Sequence, residues 1–455
     1  MRDAKSRFGP RCRQDVRSIC RARAAGIRRV ASIGSAGDGS ASVTRRLYRA
    51  IAFALAVLAS LPGTAAGDPA EDGAGGVLGL FDIRNSPFIP IPEVATDPFG
   101  GTTVGLLPVY LVTDEDRQIT RIYAPDLADN SLLGFGARFR VFDYPSEDTE
   151  WHIVGGVQQK VERGFDALYW TGIKRTGPWS WSVEPLYDKS ATGRFFGIGN
   201  GTSQASQTNY TREQSYLDAK LGRNLTPDWQ ISLESRPRFT KIEPGVLEQS
   251  IGPSFLGSAT DWLNRLALTY DTRDSIEVPT DGTQITLFAG GAHRDLLSSF
   301  SYAALGVDLR ELWPLTERMT LASHAALRYM PGGTQVPFWA LSRLGGDRSI
   351  VGEEQQLRGF GEGRFVDRNL FSGTLELRTR AFDLHLFSQV VSFEVAPFFD
   401  TGSVFHSMGD FPLNHLHPAG GVGFRAIARP FIVGYVDIGY GPEGAAIFTG
   451  VNYPF

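Results

Sequence analysis

The stretch Thr374-Leu-Glu-Leu-Arg-Thr-Arg-Ala381 places polar and apolar residues at alternating positions. Successive side chains of an extended strand point to opposite faces. One face therefore carries Thr374, Glu376, Arg378 and Arg380, and the other carries Leu375, Leu377 and Ala381. This alternation predicts a β-strand that is charged on one side and apolar on the other.

The same period of two recurs from Gly101 to the end of the chain, for example in residues 262–272, 320–329 and 447–455. Turn-forming residues separate these runs, as at 143–145, 226–228, 279–282 and 441–444. No helix longer than a turn or two is indicated. Seventeen candidate strands can be counted. Because bacterial single-chain barrels have even strand numbers, the run 117–125, which Pro125 interrupts, is set aside and 16 strands are predicted.

The alternation favours a closed barrel over soluble β-sandwiches. A long array of amphipathic sheets in water would leave strand edges that need protection. A membrane barrel has no edges and turns its apolar face to lipid and its polar face to the lumen. Aromatic residues make up 11% of the chain, and the tryptophans lie near predicted strand ends, as interfacial girdle residues do. The prediction is therefore an all-β, transmembrane antiparallel barrel, with a soluble β-protein as the alternative.

Residues 1–67 form a basic leader, with 13 Lys/Arg against 3 Asp/Glu, whereas the remainder of the chain carries a net charge of −14. The apolar run 50–61 follows Arg45, Arg46 and Arg49, and small residues follow it. At 12 residues it is shorter than the about 20 that a spanning helix needs, so it indicates a secretory signal peptide cleaved near Ala66 or Gly67. Both cysteines, Cys12 and Cys20, lie in this leader. An acidic body speaks against nucleic acid as a partner.

Three regions are predicted: the leader and signal peptide (1–67), a short periplasmic N-terminal segment (68–98) and an outer-membrane barrel (99–455). The middle segment is rich in Gly, Pro and Asp, and residues 88–92 are expected to be extended because each proline disfavours helix. At 31 residues the segment is too short for an independent domain.

Four stretches resemble the BamA/TamA family of outer-membrane barrels, also called the bacterial surface antigen family. They are Tyr270–Asp274 with Pro279–Gly282, the region from Gly345-Gly346-Asp347 to Arg358-Gly359-Phe360-Gly361 and Phe365, the motif Phe398-Phe399-Asp400-Thr401-Gly402, and the final strand ending in Tyr453-Pro454-Phe455. Phe195–Asn200 adds weaker support. These motifs lie mostly in 261–455, and the earlier half resembles the family mainly in its alternation.

The resemblance implies a long loop folded into the lumen, with Arg358, Gly359, Phe360 and Gly361 at its tip. Asp400 and Glu394 share a strand face opposite an apolar one, so with the apolar face towards lipid they are expected to point inward, as is Glu376 on the preceding strand. An arginine at position 358 would suit these carboxylates because guanidinium groups bind them bidentately. The pair with Asp400, aided by Glu376 or Glu394, is expected to be partly hydrated. Within the strand motif, Phe398, Asp400 and Gly402 are singled out. Tyr453 and Phe455 are expected to face lipid and to form the C-terminal assembly signal.

The resemblance also implies a class of function. Family members that assemble or secrete proteins carry POTRA modules before the barrel, and residues 68–98 are too short for one, so the chain resembles the barrel-only members. It is expected in the outer membrane of a Gram-negative cell, aiding insertion or translocation of proteins or lipids. The alternative is a passive pore or structural surface protein, since fold alone does not decide function. Expected partners are outer-membrane lipid, the barrel-assembly machinery during insertion, and client proteins or lipids.

No enzymatic activity, catalytic residue, cofactor or metal is predicted. Some relatives carry a patatin-like lipase, but the chain has no Gly-x-Ser-x-Gly motif. His415 and His417 are two residues apart, yet further metal ligands are not found nearby in the sequence.

Overall fold

The computed structural model describes residues 88–97, 101–115, 119–247, 249–386, 389–411, 415–428, 432–451 and 453–455. The predicted leader and signal peptide lie outside these residues. None of the helical segments in the described part of the chain has the length and apolar character needed to span a bilayer. The short helical turns there are of the 3-10 type, at Gln204–Ser206, Pro253–Phe255, Arg294–Leu296, Phe338–Ala340 and Met408–Asp410.

One large antiparallel sheet dominates the described residues. Its first half consists of β1 (Phe88–Asp97), β2 (Gly101–Thr113), β3 (Ile119–Tyr123), β4 (Asp126–Asn130), β5 (Gly134–Ser146), β6 (Thr149–Gln158), β7 (Arg163–Thr171), β8 (Trp179–Phe195), β9 (Thr208–Asn224) and β10 (Trp229–Pro244). Its second half consists of β11 (Gly257–Asp271), β12 (Gly282–Ala292), β13 (Ser301–Thr316), β14 (Met319–Thr334), β18 (Asn369–Leu386), β19 (Gln389–Phe405), β20 (His417–Ala428), β21 (Ile432–Gly441) and β22 (Gly444–Val451). A separate three-stranded sheet is formed by β15 (Ser342–Leu344), β16 (Glu354–Gln355) and β17 (Phe365–Asp367).

Each strand of the large sheet pairs with its neighbours in chain order, and β1 also pairs with β22, so that the sheet closes on itself. Among the described residues the sheet has 19 strand segments. Two of them, β3 and β4, lie end to end between β2 and β5, so 18 strands surround the lumen rather than the 16 predicted. The run around Pro125 that was set aside is thus part of the sheet. Pro125 lies at its break because proline has no N–H for the ladder.

The N-terminal boundary of the barrel also differs from the prediction. Residues 88–97, assigned to the periplasmic segment, form β1 and pair with β2 over ten positions, from Phe88↔Tyr110 to Asp97↔Gly101. The prolines that marked this stretch as extended are therefore part of a barrel strand that the alternating pattern did not reveal.

The two faces of the sheet follow the predicted alternation. On β18, Thr374, Glu376 and Arg378 are buried, whereas Leu375 is 51% exposed. The same arrangement recurs around the sheet, with outward-facing Leu266, Leu287, Leu305 and Phe399 all about half exposed. Charged residues inside and apolar residues outside are the reverse of a water-soluble fold and fit a wall that faces lipid.

The connections differ strongly between the two ends of the barrel. One end carries the long connections, such as 196–207, 245–256 and 335–368, and the other carries short ones such as 147–148 and 317–318. Outer-membrane barrels place their long loops outside the cell and their short turns in the periplasm. The connection 335–368 contains the small sheet and packs against the inner wall of the barrel.

Candidate functional site: the lumenal loop and its anchors

The site is built by residues 345–364, here called the lumenal loop. The small sheet holds it in place: Leu344 and Phe365, which flank the loop, pair with each other, and Gln355 within the loop pairs with Leu344. The side chains of Leu344, Leu357, Phe360 and Phe365 form an apolar cluster with Leu370, Val404 and Ala419 of the wall. This packing gives the loop a core of its own and holds its tip at a fixed place.

Arg358 lies at the centre of the tip and its side chain is fully buried. Its Nε and Nη2 atoms donate to Oδ2 and Oδ1 of Asp400, each at 2.9 Å. Its Nη1 donates to Glu376 at 2.9 Å and to Asp437 at 2.8 Å. The backbone N–H of Arg358 also donates to Asp400 at 3.0 Å. The guanidinium thus bridges three carboxylates from β18, β19 and β21.

Two further arginines complete this group. Arg425 on β20 donates to Asp437 at 2.5 Å and to Glu376 at 3.1 Å. Arg378 donates to Glu376 at 2.9 Å. We call Arg358, Arg378, Arg425, Glu376, Asp400 and Asp437 the arginine cluster. Three positive and three negative charges balance, which is what makes burial of so many ionised groups tolerable.

The structure brings some of the residues singled out in the sequence into this site, but not all of them. Arg358, Asp400 and Glu376 are brought together. Glu394 also faces the lumen, but its carboxylate is approached by the Tyr453 hydroxyl at 3.4 and 3.5 Å and not by Arg358. The pair was expected to be partly hydrated, and the structure differs from this expectation, because Arg358, Glu376 and Asp400 are each 0% exposed. The lumenal loop and the wall exclude water from the pair.

The strand motif and the loop motif meet directly. The ring of Phe398 lies beneath the Arg358 guanidinium, with Cζ 3.5 Å from the ring centroid. A Cβ atom at Gly402 would lie 3.0 Å from Leu344 Cδ2, so the missing side chain leaves room for the small sheet. Phe360 contacts the rings of Phe365 and His417 edge to face. Gly361 is buried beside it and accepts a hydrogen bond from the Arg364 N–H at 3.3 Å.

Close backbone approach explains the glycine at 359. A Cβ atom there would lie 2.7 Å from the Ala419 Cβ and 2.8 Å from the Gly441 nitrogen. On the wall, a Cβ atom at Gly439 would overlap the carbonyl oxygen of Arg358. Loop and wall are therefore in backbone contact, which a side chain at either position would prevent.

Sequence reasoning missed Asp437 and Arg425. Both are single charged residues within otherwise apolar or small strand residues, and each lies on the inward face of its strand. A single charged residue in such a strand indicates a side chain that faces the lumen. Their meeting with Arg358 depends on strand order around the barrel, which alternation does not give.

The lumenal loop also contacts the opposite wall. Glu353 forms an ion pair with Arg236 of β10, and Arg265 of β11 donates to the Val351 carbonyl at 2.5 Å. Burial alone would raise the pKa of Glu353, but the guanidinium groups of Arg236, Arg238 and Arg265 outweigh it and hold that pKa well below its usual range. The loop therefore spans the lumen between two charged anchors, Arg358 and Glu353.

At the long-loop end, residues from another connection cover the site. Arg364 donates to the Thr202 carbonyl at 2.7 Å and pairs with Glu443 at 2.6 Å. The Asn200 side-chain amide donates to the His415 carbonyl at 2.8 Å. His417 stacks on Phe365 at 3.8 Å, and His415 and His417 belong to no metal-ligand group among the described residues.

At the other end, the β11–β12 connection and the C-terminus turn into the lumen. Val278 packs with Ile427 and Val433, and Tyr453 packs against them. Phe455 is buried, stacked on His324 with ring centroids 5.3 Å apart, and packed against Leu312 and Ala322. The prediction that Tyr453 and Phe455 face lipid is therefore wrong. The last strand ends at Val451, and Tyr453 and Phe455 pack inside the barrel instead.

Residues 166–425, more than half of the chain, match the Omp85 superfamily domain. No curated protein matches the chain. Among solved structures, BamA from Haemophilus ducreyi lacking POTRA domains 1-3 is similar with a TM-score of 0.48 at 15% identity, over 80% of this chain and 74% of that one.

CdiB from Acinetobacter baumannii is similar with a TM-score of 0.42 at 10% identity, over 80% of this chain and 59% of that one. CdiB from Escherichia coli is similar with a TM-score of 0.45 at 12% identity, over 81% and 63%. The chain therefore spans less than two thirds of the length of either CdiB structure.

Proposed function

The chain belongs to the Omp85 superfamily, and on this premise we propose that it acts in the outer membrane of a Gram-negative cell, aiding the insertion or translocation of proteins or lipids. Outer-membrane lipid surrounds the barrel, client proteins or lipids pass through or beside it, and the barrel-assembly machinery inserts the chain itself. The activity involves no covalent chemistry. The site that acts is the seam between β1 and β22.

One observation carries this proposal: the seam is the weakest junction of the sheet. Among the described residues β1 and β22 pair at a single register position, Thr96↔Ile447. By contrast, β21 and β22 pair at eight positions, from Gly434↔Val451 to Gly441↔Gly444. Each lost pair removes ladder hydrogen bonds, which each contribute about 0.5–1.5 kcal/mol. The seam is thus the junction that opens at the lowest free-energy cost and offers unpaired strand edges to another chain.

The inward course of the C-terminus supports the same proposal. Phe455 is held in the lumen by His324, and Arg378 lies over its ring at 5.1 Å. Because Phe455 is held there, it does not extend the pairing of β22 with β1. The remaining pair, Thr96↔Ile447, lies at the long-loop end, so the weak stretch of the seam faces the periplasmic half.

The filled lumen favours this function over the alternative of a passive pore. The arginine cluster is buried, and the lumenal loop contacts both walls through Arg358 and Glu353. A wide permanent channel would need an open lumen instead. Planar-bilayer recordings separate the two functions, because an assembly barrel should give small, flickering currents and a passive pore should give large, stable ones.

A reversible disulfide across the seam tests the proposal. Cysteines replacing Thr96 and Ile447 lie at directly opposite positions of an antiparallel pair, which brings Cβ atoms to about 4.5–5.5 Å. Both natural cysteines precede the predicted cleavage site, so the mature chain adds no competing thiol. The variant is reconstituted in lipid vesicles, and the heat-modifiable folded fraction of an added unfolded barrel protein is measured. Oxidation should remove the acceleration of folding, and reduction should restore it.

The matched control joins β21 to β22 with cysteines replacing Val436 and Thr449, which are likewise directly opposite register partners. Its oxidation should leave the acceleration unchanged. Full activity of the oxidised seam variant would refute an opening seam, and large stable currents from the wild type would favour the passive pore.

A further inference from the structure

An apolar groove lies on the outer surface of the barrel, across β2 to β8. It has a volume of about 700 Å³. Its walls are outward-facing apolar side chains that are between 45% and 65% exposed: Leu106, Leu127, Phe139, Val157 and Phe165. The groove is separate from the lumenal loop and from the seam, and neither site explains it.

A glycine forms the notch of this groove. Phe139, Gly155, Phe165 and Tyr187 are register partners across four neighbouring strands and form a row on the outer face. A Cβ atom at Gly155 would meet nothing closer than the Gly164 carbonyl oxygen at 3.9 Å. Packing of the barrel therefore does not require glycine at this position. The notch between the two phenylalanines is free space on a surface that faces lipid.

The groove has a basic rim at the long-loop end. Arg163, the first residue of β7, lines the groove, is exposed and has no ion-pair partner among the described residues. Its register partner on β8, Lys189, is already paired with Glu213 at 3.0 Å. The adjacent Glu162 is bonded instead to the Ser190 hydroxyl at 2.9 Å. Lys189 is also paired with Glu243, so Arg163 is the outward charge at this rim that lacks an ion-pair partner among the described residues.

We propose that this groove binds an acyl chain of a phosphate-bearing membrane lipid, with the phosphate held by Arg163. A flexible, unbranched hydrocarbon fits an apolar groove, and a volume of about 700 Å³ lies within the range of small-molecule sites. Arginine binds phosphate through parallel N–H donors. Arg163 lies at the long-loop end, where the lipid headgroups of the outer leaflet meet the barrel.

The charge distribution selects lipid over other occupants. A second copy of the chain or another membrane protein would need a contact of about 1,000 Å² or more with complementary charge opposite Arg163. In a symmetric contact of this face with a second copy, Arg163 would meet the same apolar groove lining and gain no exposed carboxylate opposite it. The inference rests on the membrane-spanning barrel alone and stands whether or not the seam opens.

Native mass spectrometry of the full chain in detergent tests the proposal with phosphatidylglycerol and with diacylglycerol of the same acyl chains. The wild type should retain phosphatidylglycerol in preference to diacylglycerol. Gly155→Leu fills the notch and should weaken phosphatidylglycerol binding at least tenfold. Arg163→Gln should abolish the preference between the two lipids while leaving diacylglycerol binding unchanged.

Gly420→Leu is the matched control. Gly420 also lies on the outer face three residues from the long-loop end of its strand, and its Cβ atom would lie 3.7 Å from the Phe398 carbonyl oxygen. It should bind lipid like the wild type. Heat-dependent gel migration checks that each variant is folded, and the exposed Arg163→Gln keeps the test decisive if Gly155→Leu does not fold.

Three results would overturn the proposal. Equal retention of both lipids by the wild type would mean unspecific lipid contact only. Unchanged binding in a folded Gly155→Leu would place the lipid elsewhere. A dimer that Gly155→Leu dissociates would assign the groove to a second copy of the chain.

Discussion

Arg358 and Asp400 are joined by two parallel hydrogen bonds of 2.9 Å, and neither side chain is exposed to solvent. The two residues are 42 positions apart, one at the tip of the lumenal loop and the other in the barrel wall. Their geometry is the bidentate arrangement in which arginine binds carboxylate most strongly. This contact fixes the loop to β19 and is the first target for mutation.

Replacing either partner should destabilise the barrel substantially. Removing one member of a buried pair leaves the other charge uncompensated, which costs about 3–5 kcal/mol. Arg358→Ala and Asp400→Ala should each lower the free energy of unfolding by this order in urea titrations. The double variant should be little worse than the worse single variant, since the two residues act together. Arg294→Ala, in an exposed loop, serves as the control and should change little; additive effects of 358 and 400 would refute the direct pair.

A methyl group at position 439 should displace the lumenal loop. Its Cβ atom would overlap the Arg358 carbonyl oxygen, so loop or strand must move. Gly439→Ala should therefore lower the free energy of unfolding by about 1–3 kcal/mol. Gly434→Ala on the same strand is the control, because its Cβ atom would lie 3.9 Å from the Ala426 carbonyl oxygen. Equal stability of the two variants would show that loop and wall are not in backbone contact.

The Glu353 anchor should make the barrel sensitive to acid. Its folded-state pKa is depressed by Arg236, Arg238 and Arg265 against the effect of burial. A depressed carboxyl pKa contributes stability that is present above the unfolded pKa of about 4.3 and is lost as the pH falls towards the folded pKa. Urea titrations of the wild type should therefore show stability falling below about pH 4.

Glu353→Gln should remove this component, so its stability should be lower near neutral pH and should fall less steeply in acid. Glu317→Gln, in the exposed turn between β13 and β14, is the matched control and should retain the wild-type slope. Identical slopes for wild type and Glu353→Gln would show that Glu353 does not carry the acid sensitivity.

Loss of the C-terminal ring should reduce the amount of barrel in the outer membrane. Phe455 packs on His324, Leu312 and Ala322, so its deletion leaves an apolar lumenal site empty and frees the chain after Val451. Cell fractionation should show less protein in the outer membrane and more in the periplasm or as fragments. Tyr440→Ala, which removes an outward ring that is 69% exposed, should leave the level unchanged. Wild-type levels after deletion of Phe455 would exclude an assembly role for this residue.

The sequence by itself determined which way the strands face. Alternation between neighbouring residues is local, so Thr374–Ala381 and the run around Asp400 indicated the lumenal face without any knowledge of strand partners. Alternation placed Glu376 on the lumenal face, and the resemblance to a family of barrels pointed to Arg358 and Asp400.

Only the tertiary structure decided what those residues meet. Asp437 joins Arg358 from a strand 79 positions further along the chain, and Glu394 does not join it, because strand order and register around the barrel set lumenal neighbours. The buried state of the pair depends on packing of the loop against the wall. Phe455 continues the period-two pattern of its strand yet lies inside the barrel. Periodicity specifies a face only while the chain stays in the sheet, and leaving the sheet after Val451 is decided by the lumenal site that receives the ring.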